Sequence, residues 1–433
     1  MRVLCVESAS LKTLSDWLAH IERLHAQPIA LGLDRVHEVR RALGIAQTVP
    51  VITVGGTNGK GSICAMLERM LLAAGYRVGL YTSPHLLDYN ERVRIAGEAA
   101  SDETLCDAFA AVERARGEVP LTYFEFGTLA AWMNFVAAEV DVVILEVGLG
   151  GRLDAVNAFD TDCAIIAAID IDHADYLGDT REAIGYEKAG ILRCGKPAIV
   201  GDAQPPASVV AHAEKIGAPL AILGRDFGYL SEQHQWSWWG RRDGALIRRG
   251  GLAHPALRGS VQLANASTAI AALTALEAVL PVAMQDIRRG LAEVELPGRF
   301  QVLPGRPTTV LDVGHNPQAA GVLADNLGNM AFHPNTYAVF GMLRDKDIAS
   351  VIDRIQGRID HWLVATLAGP RAATAREIAA LLAARGIKAV KCYDTPAQAW
   401  RAAREGAEEN DRIVAFGSFL LVAEVLRTIA AEK

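Results

Sequence analysis

A chain of 433 residues exceeds one comfortable hydrophobic core, so two domains are expected. It is 51% hydrophobic and 21% charged, with a formal net charge of −7; that balance argues against a nucleic-acid partner but leaves room for a local basic pocket. The six cysteines (Cys5, Cys64, Cys106, Cys163, Cys194 and Cys392) include no Cys-x-x-Cys pair, which reads as reduced thiols of a cytoplasmic protein without a disulfide or zinc framework. The start reaches Glu7 too soon for a signal peptide, and no apolar run approaches the ~20 residues of a bilayer span.

Leu11 to Leu43 reads as helix, loop, helix, with Gly44 placed to end the second helix. The intervening Gln27–Val36 stretch holds Pro28, Ile29, Ala30, Leu31 and Gly32, where proline and glycine break the helical period. Taken alone it is a loop of apolar side chains, for which core packing is the plain explanation.

Val51 to Val54 are β-formers that run into Gly55-Gly56-Thr57-Asn58-Gly59-Lys60-Gly61-Ser62. Ile63, Met66, Leu67, Met70 and Leu71 follow at helical spacing. Strand, glycine loop and helix form the geometry that cradles phosphates, because glycines admit close backbone N–H groups and the helix start adds partial positive charge. Lys60 is placed to neutralise β/γ-phosphates and Ser62 to help hold Mg²⁺. The general Walker spacing is not met: Val54 stands where its first glycine belongs, and Gly61 delays the hydroxyl by one residue.

A second strand, Arg77–Thr82, ends at Ser83-Pro84-His85-Leu86. The carboxyl edge of a parallel sheet is where ligands bind, which sets the Ser83 hydroxyl near the phosphates. Thr122 to Phe126 opens a strongly apolar helix, and Asp141–Glu146 then reads as a buried parallel strand. An acid such as Glu146 at the end of that strand suits Mg²⁺ in phosphoryl transfer. The glycine-dense Gly148–Asn157 run, carrying Arg152 and Asp154, would let backbone approach a ligand. Cys163–Ile169 is a further strand leading to Asp172-His173, and Glu187-Lys188-Ala189-Gly190-Ile191 closes a helical stretch. By themselves His173 reads as a structural histidine and Lys188 as a solvated lysine. Trp236, Trp238 and Trp239 beside Arg241, Arg242, Arg248 and Arg249 predict short antiparallel strands forming a packed excursion. An alanine-rich helix over 262–280 contains Asn265.

Leu296-Pro297-Gly298-Arg299-Phe300 is the domain joint. Beyond it strands are expected at Val310–Val313, Tyr337–Phe340, His361–Thr366, Ala389–Tyr393 and Arg412–Phe416, alternating with helices as in a largely parallel sheet. Their ends carry Asp312-Val313-Gly314-His315-Asn316-Pro317, Gly341-Met342-Leu343-Arg344-Asp345-Lys346-Asp347 and Gly417-Ser418-Phe419.

Taken together these motifs resemble the ATP-dependent amide ligases of the Mur ligase superfamily, in its folate branch, dihydrofolate synthase/folylpolyglutamate synthase. The phosphate loop, the Glu146–Asn157 signature (only Val156 departs), Asp172-His173, Glu187–Ile191 and the three C-terminal motifs fall in that family's order. The resemblance implies an α/β fold with an N-terminal P-loop ATPase-like domain over 1–296, a linker over 297–306 and a smaller C-terminal Rossmann-like glutamate-ligase domain over 307–433. It implies ATP contacts at Thr57, Asn58, Gly59, Lys60, Gly61, Ser62, Asn265, Arg299 and Asp312. Ser83, Glu146, His173 and a carbamylated Lys188 would serve Mg²⁺. Pro28, Ile29, Ala30, Leu31, Thr122, Leu153, Asp154 and Ala155 would face the pteroate, with Ala30 where an Asp is common. His315 and Ser418 would hold L-glutamate, and Lys60, Lys188 and His315 would carry catalysis.

The expected activity is amide formation through an acyl phosphate, with dihydropteroate or a reduced folate as acceptor, by a cytoplasmic monomer that binds neither nucleic acid nor membrane. Two α/β domains facing each other would supply the cleft. A peptidoglycan ligase of the same superfamily would need an N-terminal nucleotide-sugar domain, for which the residues before the loop are too few. A nucleotide switch protein lacks a reason for the second α/β domain and has the standard Walker spacing. A scaffold with a relic loop leaves so complete a set of candidate ligands unexplained.

Overall fold

The computed structural model describes residues 12–27, 29–233, 235–242 and 244–432. The chain forms two compact units. The first runs up to His254 and takes in Leu263–Val294, and the second comprises Pro255–Gln262 and the chain from Glu295 onward. The short Pro255–Gln262 stretch belongs with the second unit, where the Ser260 N–H donates to Asn326 Oδ1 at 2.9 Å. No sequence signal marks that excursion.

In the first unit eight strands form one sheet: β1 (Val51–Gly55), β2 (Val78–Tyr81), β3 (Val93–Ile95), β4 (Glu98–Ala99), β5 (Val142–Glu146), β6 (Cys163–Ile166), β7 (Ala198–Val200) and β8 (Leu220–Ile222), in the order β4-β3-β2-β5-β1-β6-β7-β8. Every residue of β1 and of β5 is buried, as strands covered on both faces require. From β2 to β8 the pairing is parallel, while β3 and β4 close one edge antiparallel. The chain leaves β1 through the Lys60–Ala73 helix and returns at β2, beyond the slot that β5 later fills. The carboxyl ends of β2, β5, β1 and β6 therefore open side by side on one edge, the place where α/β sheets bind ligands.

Packing fixes the helix that follows the phosphate loop. At Gly290 a Cβ would stand 2.6 Å from the Met70 backbone, so the Met284–Glu293 helix lies directly against the Lys60–Ala73 helix. The tryptophan segment forms an antiparallel sheet of β9 (Gly228–Ser231), β10 (Trp236–Arg242) and β11 (Ala245–Leu252). Trp236 and Trp238 are buried, and the Trp238 indole donates to Ser267 O at 3.1 Å, tying this excursion to the helix that carries Asn265.

The second unit is built on β12 (Gln301–Leu303), β13 (Thr308–Asp312), β14 (Thr336–Phe340), β15 (His361–Ala365), β16 (Val390–Tyr393) and β17 (Arg412–Phe416), in the order β12-β13-β17-β14-β15-β16. All pairs are parallel except β12 with β13. The stretch 301–303 falls within the expected linker yet is an edge strand; three residues are too few to show a period. In the core the Phe340 ring lies tilted against Phe416 (4.8 Å) and edge-to-face with Trp362 (5.4 Å). The buried Arg412 donates from its two terminal nitrogens to Leu327 O and Thr336 Oγ1. Among the described residues no helix is long and apolar enough to cross a membrane.

Candidate active site

The phosphate loop leaves β1 at Gly55. Gly56 has φ +140°, and a Cβ there would lie 2.7 Å from that of Ala167; Gly59 has φ +92°, and a Cβ there would lie 2.8 Å from Asn265 Oδ1. Both positions thus exclude any side chain, and Asn265 rests directly on the loop. The Thr57 N–H donates to Ala168 O (2.7 Å), while its hydroxyl donates to Asp170 O (2.9 Å) and accepts from the Asp170 N–H (3.1 Å). These bonds, with the bridge between Asn58 and Ala168, pin the loop to the segment after β6.

The Lys60–Ala73 helix begins at Gly59 without a side-chain cap, so the partial positive charge of its start faces the loop. Gly61 and the buried Ser62 complete the first turn. Lys60 Nζ donates to Gly56 O (3.0 Å) and Thr57 O (3.2 Å), so the ammonium lies across its own loop. An anion held by the loop would sit against that charge.

Glu146 ends β5 opposite Val54 of β1, and its carboxylate is buried. Its Oε2 accepts from the Ser83 N–H at 3.1 Å, which places Ser83 beside it at the end of the neighbouring strand β2. His173 has φ 53°, caps the short Ala174–Leu177 helix and sets Nε2 4.0 Å from Asp172 Oδ1. Lys188 is 3% exposed. Burial, reinforced by the Lys60 ammonium, lowers its amine to about 7, against the opposing pull of Asp172 and Asp154. Among the described residues no three His, Cys, Asp or Glu side chains group as a metal cage. The expected set draws only Glu146 and His173 from those types.

Glu146→Gln keeps the shape and one acceptor for the Ser83 N–H but removes a charged hard ligand. It is expected to cut turnover about 10²-fold and to raise the Mg²⁺ requirement, with an unchanged melting temperature. Rates measured across a Mg²⁺ titration check this. An unaltered Mg²⁺ response would leave Glu146 a purely structural acid.

The glycine-dense run after Glu146 packs closely against neighbouring elements. A Cβ on Gly151 would lie 2.9 Å from Glu187 O and 3.1 Å from Lys188 Cα, and one on Gly190 would lie 2.3 Å from Arg152 Cβ. Its glycines let the loop press against the Arg181–Ala189 helix that carries Lys188. Arg152 pairs with Glu187 (2.9 Å), and the Asn157 amide donates to Arg152 O and Gly190 O. Asp154 and Ala155 are buried. The Asp154 carboxylate accepts from the Leu149 N–H (2.8 Å) and the Val156 N–H (3.1 Å), closing the loop; burial pushes it up to about 7 despite those bonds. Leu153, partly exposed, is the side chain of this trio with solvent access.

Pro28 lies outside the described residues. Ile29, Ala30 and Leu31 have no regular structure, and Gly32 N–H donates to Leu153 O at 3.4 Å. Ala30 takes part through its backbone: its carbonyl accepts from Arg35 Nη2 at 2.7 Å. Arg35 also donates to Glu125 Oε1 at 2.8 Å. Glu125 in turn accepts from the Thr122 N–H (2.7 Å), while Thr122 Oγ1 accepts from the Glu125 N–H, a capping box. Arg35 and Glu125 thereby tie Ala30 to Thr122, while Gly32 ties the same segment to Leu153. The Thr-x-x-Glu spacing is the legible signal for Glu125, while Arg35 belongs to the Gln27–Val36 segment that resembles the family's own.

In the second unit Asp312 ends β13. Its Oδ2 accepts from the Phe300 N–H (2.9 Å) and its Oδ1 from the Gly314 N–H (2.7 Å); burial holds its carboxyl above the usual range. The Arg299 guanidinium lies 4.9 Å from the Phe419 ring centre, and the His315 ring lies 6.2 Å from it. His315 Nδ1 lies 3.0 Å from Val313 O, which directs the ring. Ser418 is buried, and its hydroxyl accepts from the Leu420 N–H at the start of the Phe419–Ala431 helix. Asn316 and Asp347 cap the helices after β13 and β14 in the same way. All three motifs are strand-to-helix turns on the carboxyl edge of this sheet.

The family model for the Mur ligase middle domain matches residues 54–273, and that for the Mur ligase glutamate ligase domain matches residues 298–419. The dihydrofolate synthase/folylpolyglutamate synthase of Escherichia coli strain K12 is 44% identical over 97% of this chain and 96% of its own. Among solved structures, E. coli FolC in complex with DHPP and ADP superposes with a TM-score of 0.91 at 43% identity, covering 97% of this chain and 98% of that one. A bifunctional folylpolyglutamate synthase/dihydrofolate synthase with Mn, AMPPNP and L-glutamate bound gives 0.89 at 44% identity, with the same coverage. The likeness extends through both units and every motif between them, and the chain belongs to the dihydrofolate synthase/folylpolyglutamate synthase family of the Mur ligases.

Proposed function

We propose that this protein is an ATP-dependent ligase that joins L-glutamate to dihydropteroate and adds further glutamate to reduced folates. The observation that carries the reading is the uncapped helix start behind the glycine loop, with Lys60 across it and Glu146 and Ser83 at adjacent strand ends. Relatives that share this chain end to end carry both activities in their names.

A carboxylate resists attack by an amine until one oxygen becomes a leaving group. Transfer of the γ-phosphoryl group to the acceptor carboxylate breaks the β–γ P–O bond, forms the acyl phosphate and releases ADP. The glutamate amine then attacks the acyl carbon, gives up a proton, and phosphate departs from the tetrahedral intermediate. The chain's part is positioning and charge neutralisation. Lys60 and the first-turn N–H groups hold the phosphates, Asn265 abuts the loop, and Arg299 and Asp312 contact the nucleotide. His315 and Ser418 hold glutamate. Pro28 to Leu31, Thr122 and Leu153 to Ala155 border the pteroate.

The residues fit a hard divalent cation, since the buried Glu146 carboxylate offers oxygen and its bond to the Ser83 N–H brings a hydroxyl-bearing residue to the neighbouring strand end. Mg²⁺ bound there would offset phosphate charge as the acceptor carboxylate approaches. A buried amine lowered to about 7 has a sizeable neutral fraction at that pH and is suited to add CO₂, forming a carbamate with loss of one proton, which is the role read for Lys188. Cytoplasmic residence as a monomer, without nucleic acid or membrane, completes the reading.

The test is product analysis with each acceptor alone. Purified protein with ATP, Mg²⁺ and glutamate is expected to convert both dihydropteroate and tetrahydrofolate to products one glutamyl residue heavier, releasing one ADP per amide. Glutamylation of tetrahydrofolate alone would reduce the protein to a single-function synthase. Ala30 would then be the first suspect, although its carbonyl, independent of side chain, makes the bond seen here.

A further inference from the structure

The loop from β2 to β3 carries Ser83 but has little regular structure of its own. Its backbone is held by a carboxylate that none of the motifs contains. Glu91 Oε2 accepts from the Leu86 N–H at 2.7 Å, and Oε1 accepts from the N–H groups of Leu87 (2.7 Å) and Asp88 (2.9 Å). Three successive amides thus converge on one charged side chain, and charge-assisted bonds of this kind are short and strong. Two further bonds brace the same loop: the Thr82 N–H donates to Arg92 O (2.9 Å), and Arg92 Nε donates to His85 Nδ1 (2.9 Å). At the other end the Ser83 N–H donates to Glu146 Oε2. The loop is therefore suspended between two carboxylates, one inside the candidate metal site and one outside it.

We propose that Glu91 is a positioning residue for metal–nucleotide binding: by gripping the Leu86–Asp88 amides it fixes the backbone that presents Ser83 beside Glu146. This rests on the reading of Ser83 as a metal ligand. Glu91 touches neither metal nor substrate and acts through Ser83. A glutamine cannot replace it, because its NH₂ group must face at least one of the three N–H donors and leave that donor without an acceptor.

Binding is measured directly, by the loss of the free Mn²⁺ electron paramagnetic resonance signal on titration into protein with AMPPNP. The proteins compared are wild type, Ser83→Ala, Glu91→Gln and the double variant, with Glu91→Asp as a second probe should Glu91→Gln fail to fold. Glu91→Gln is expected to weaken Mn²⁺ binding about tenfold, the scale of outer-shell changes. Glu91→Asp, which keeps the charge on a shorter arm, should fall between it and wild type. The double variant should bind no more weakly than Ser83→Ala, because both changes remove the same ligand. Mn²⁺ binding within twofold of wild type in the folded Glu91 variants, beside a weakened Ser83→Ala, overturns the proposal and spares the reading of Ser83. Unchanged binding in Ser83→Ala overturns both. Losses that multiply in the double variant show that Glu91 acts by another route, which also overturns the proposal.

Discussion

Lys60→Ala is expected to lower turnover with either acceptor by about 10³-fold, the scale reached when one preorganised positive group facing developing phosphate charge is lost. The fold should hardly register the change. The lysine's two bonds are to carbonyls of its own loop, each worth only about 1 kcal/mol net, and the helix behind it is anchored by Met70 against Gly290. Removing the charge has one further consequence, since the Lys60 ammonium helps to keep Lys188 deprotonated. In the variant the Lys188 amine should move back up and take up CO₂ less readily. Initial rates of ADP release, paired with a thermal melt, check the prediction. Wild-type-like turnover would remove the phosphate loop from the mechanism.

Lys188→Ala is expected to be impaired to a similar degree, again about 10³-fold, and partly restored by formate or acetate occupying the vacated carbamate position. A volume-conserving replacement should move stability the opposite way. In CO₂-free buffer the folded lysine has its amine lowered to about 7, whereas the unfolded chain keeps it in the ordinary range near 10.5. Between those values the unfolded state binds the extra proton, so stability rises with pH through that window and the cost is fully present below about 7. Lys188→Met removes the titrating group from a buried position, so its melting temperature should exceed that of the wild type at pH 7 and lose this pH dependence. Melts at several pH values, with rates in added carboxylate, check both halves. A crystal structure showing an unmodified Lys188 turned away from Glu146 and Ser83 would refute the carbamate reading.

The phosphate loop was legible because its parts are local. Val51–Val54 are β-formers, the glycines occupy positions of positive φ or close approach, and the helical period begins at once. The apolar run ending in Glu146 announced a strand buried on both faces, and the polar ends of β13, β14 and β17 proved to be helix caps. Short edge strands gave no such signal: β3, β4 and β12 have two or three residues each.

What the linear order of residues determined by itself, then, was the set of turns that a chain makes within a few residues: the glycine loop, the helix starts, the capping box of Thr122 and Glu125, and the family these spell out. Which side chains meet was decided by the tertiary structure. Gly148, Gly150 and Gly151 stand against Phe124, Leu177 and the Lys188 helix, neighbours that the glycine spacing does not name. The Asp154 oxygens accept from the Leu149 and Val156 amides of their own loop, a pairing set by the folded backbone. Asn265 reaches Gly59, Arg35 reaches Glu125 and Glu146 meets the Ser83 N–H only because the sheet places β5 between β1 and β2 and wraps helices over it. Side-chain propensities act over a turn or two, whereas strand order is chosen by burial summed over the whole core, so no local pattern encodes those partners.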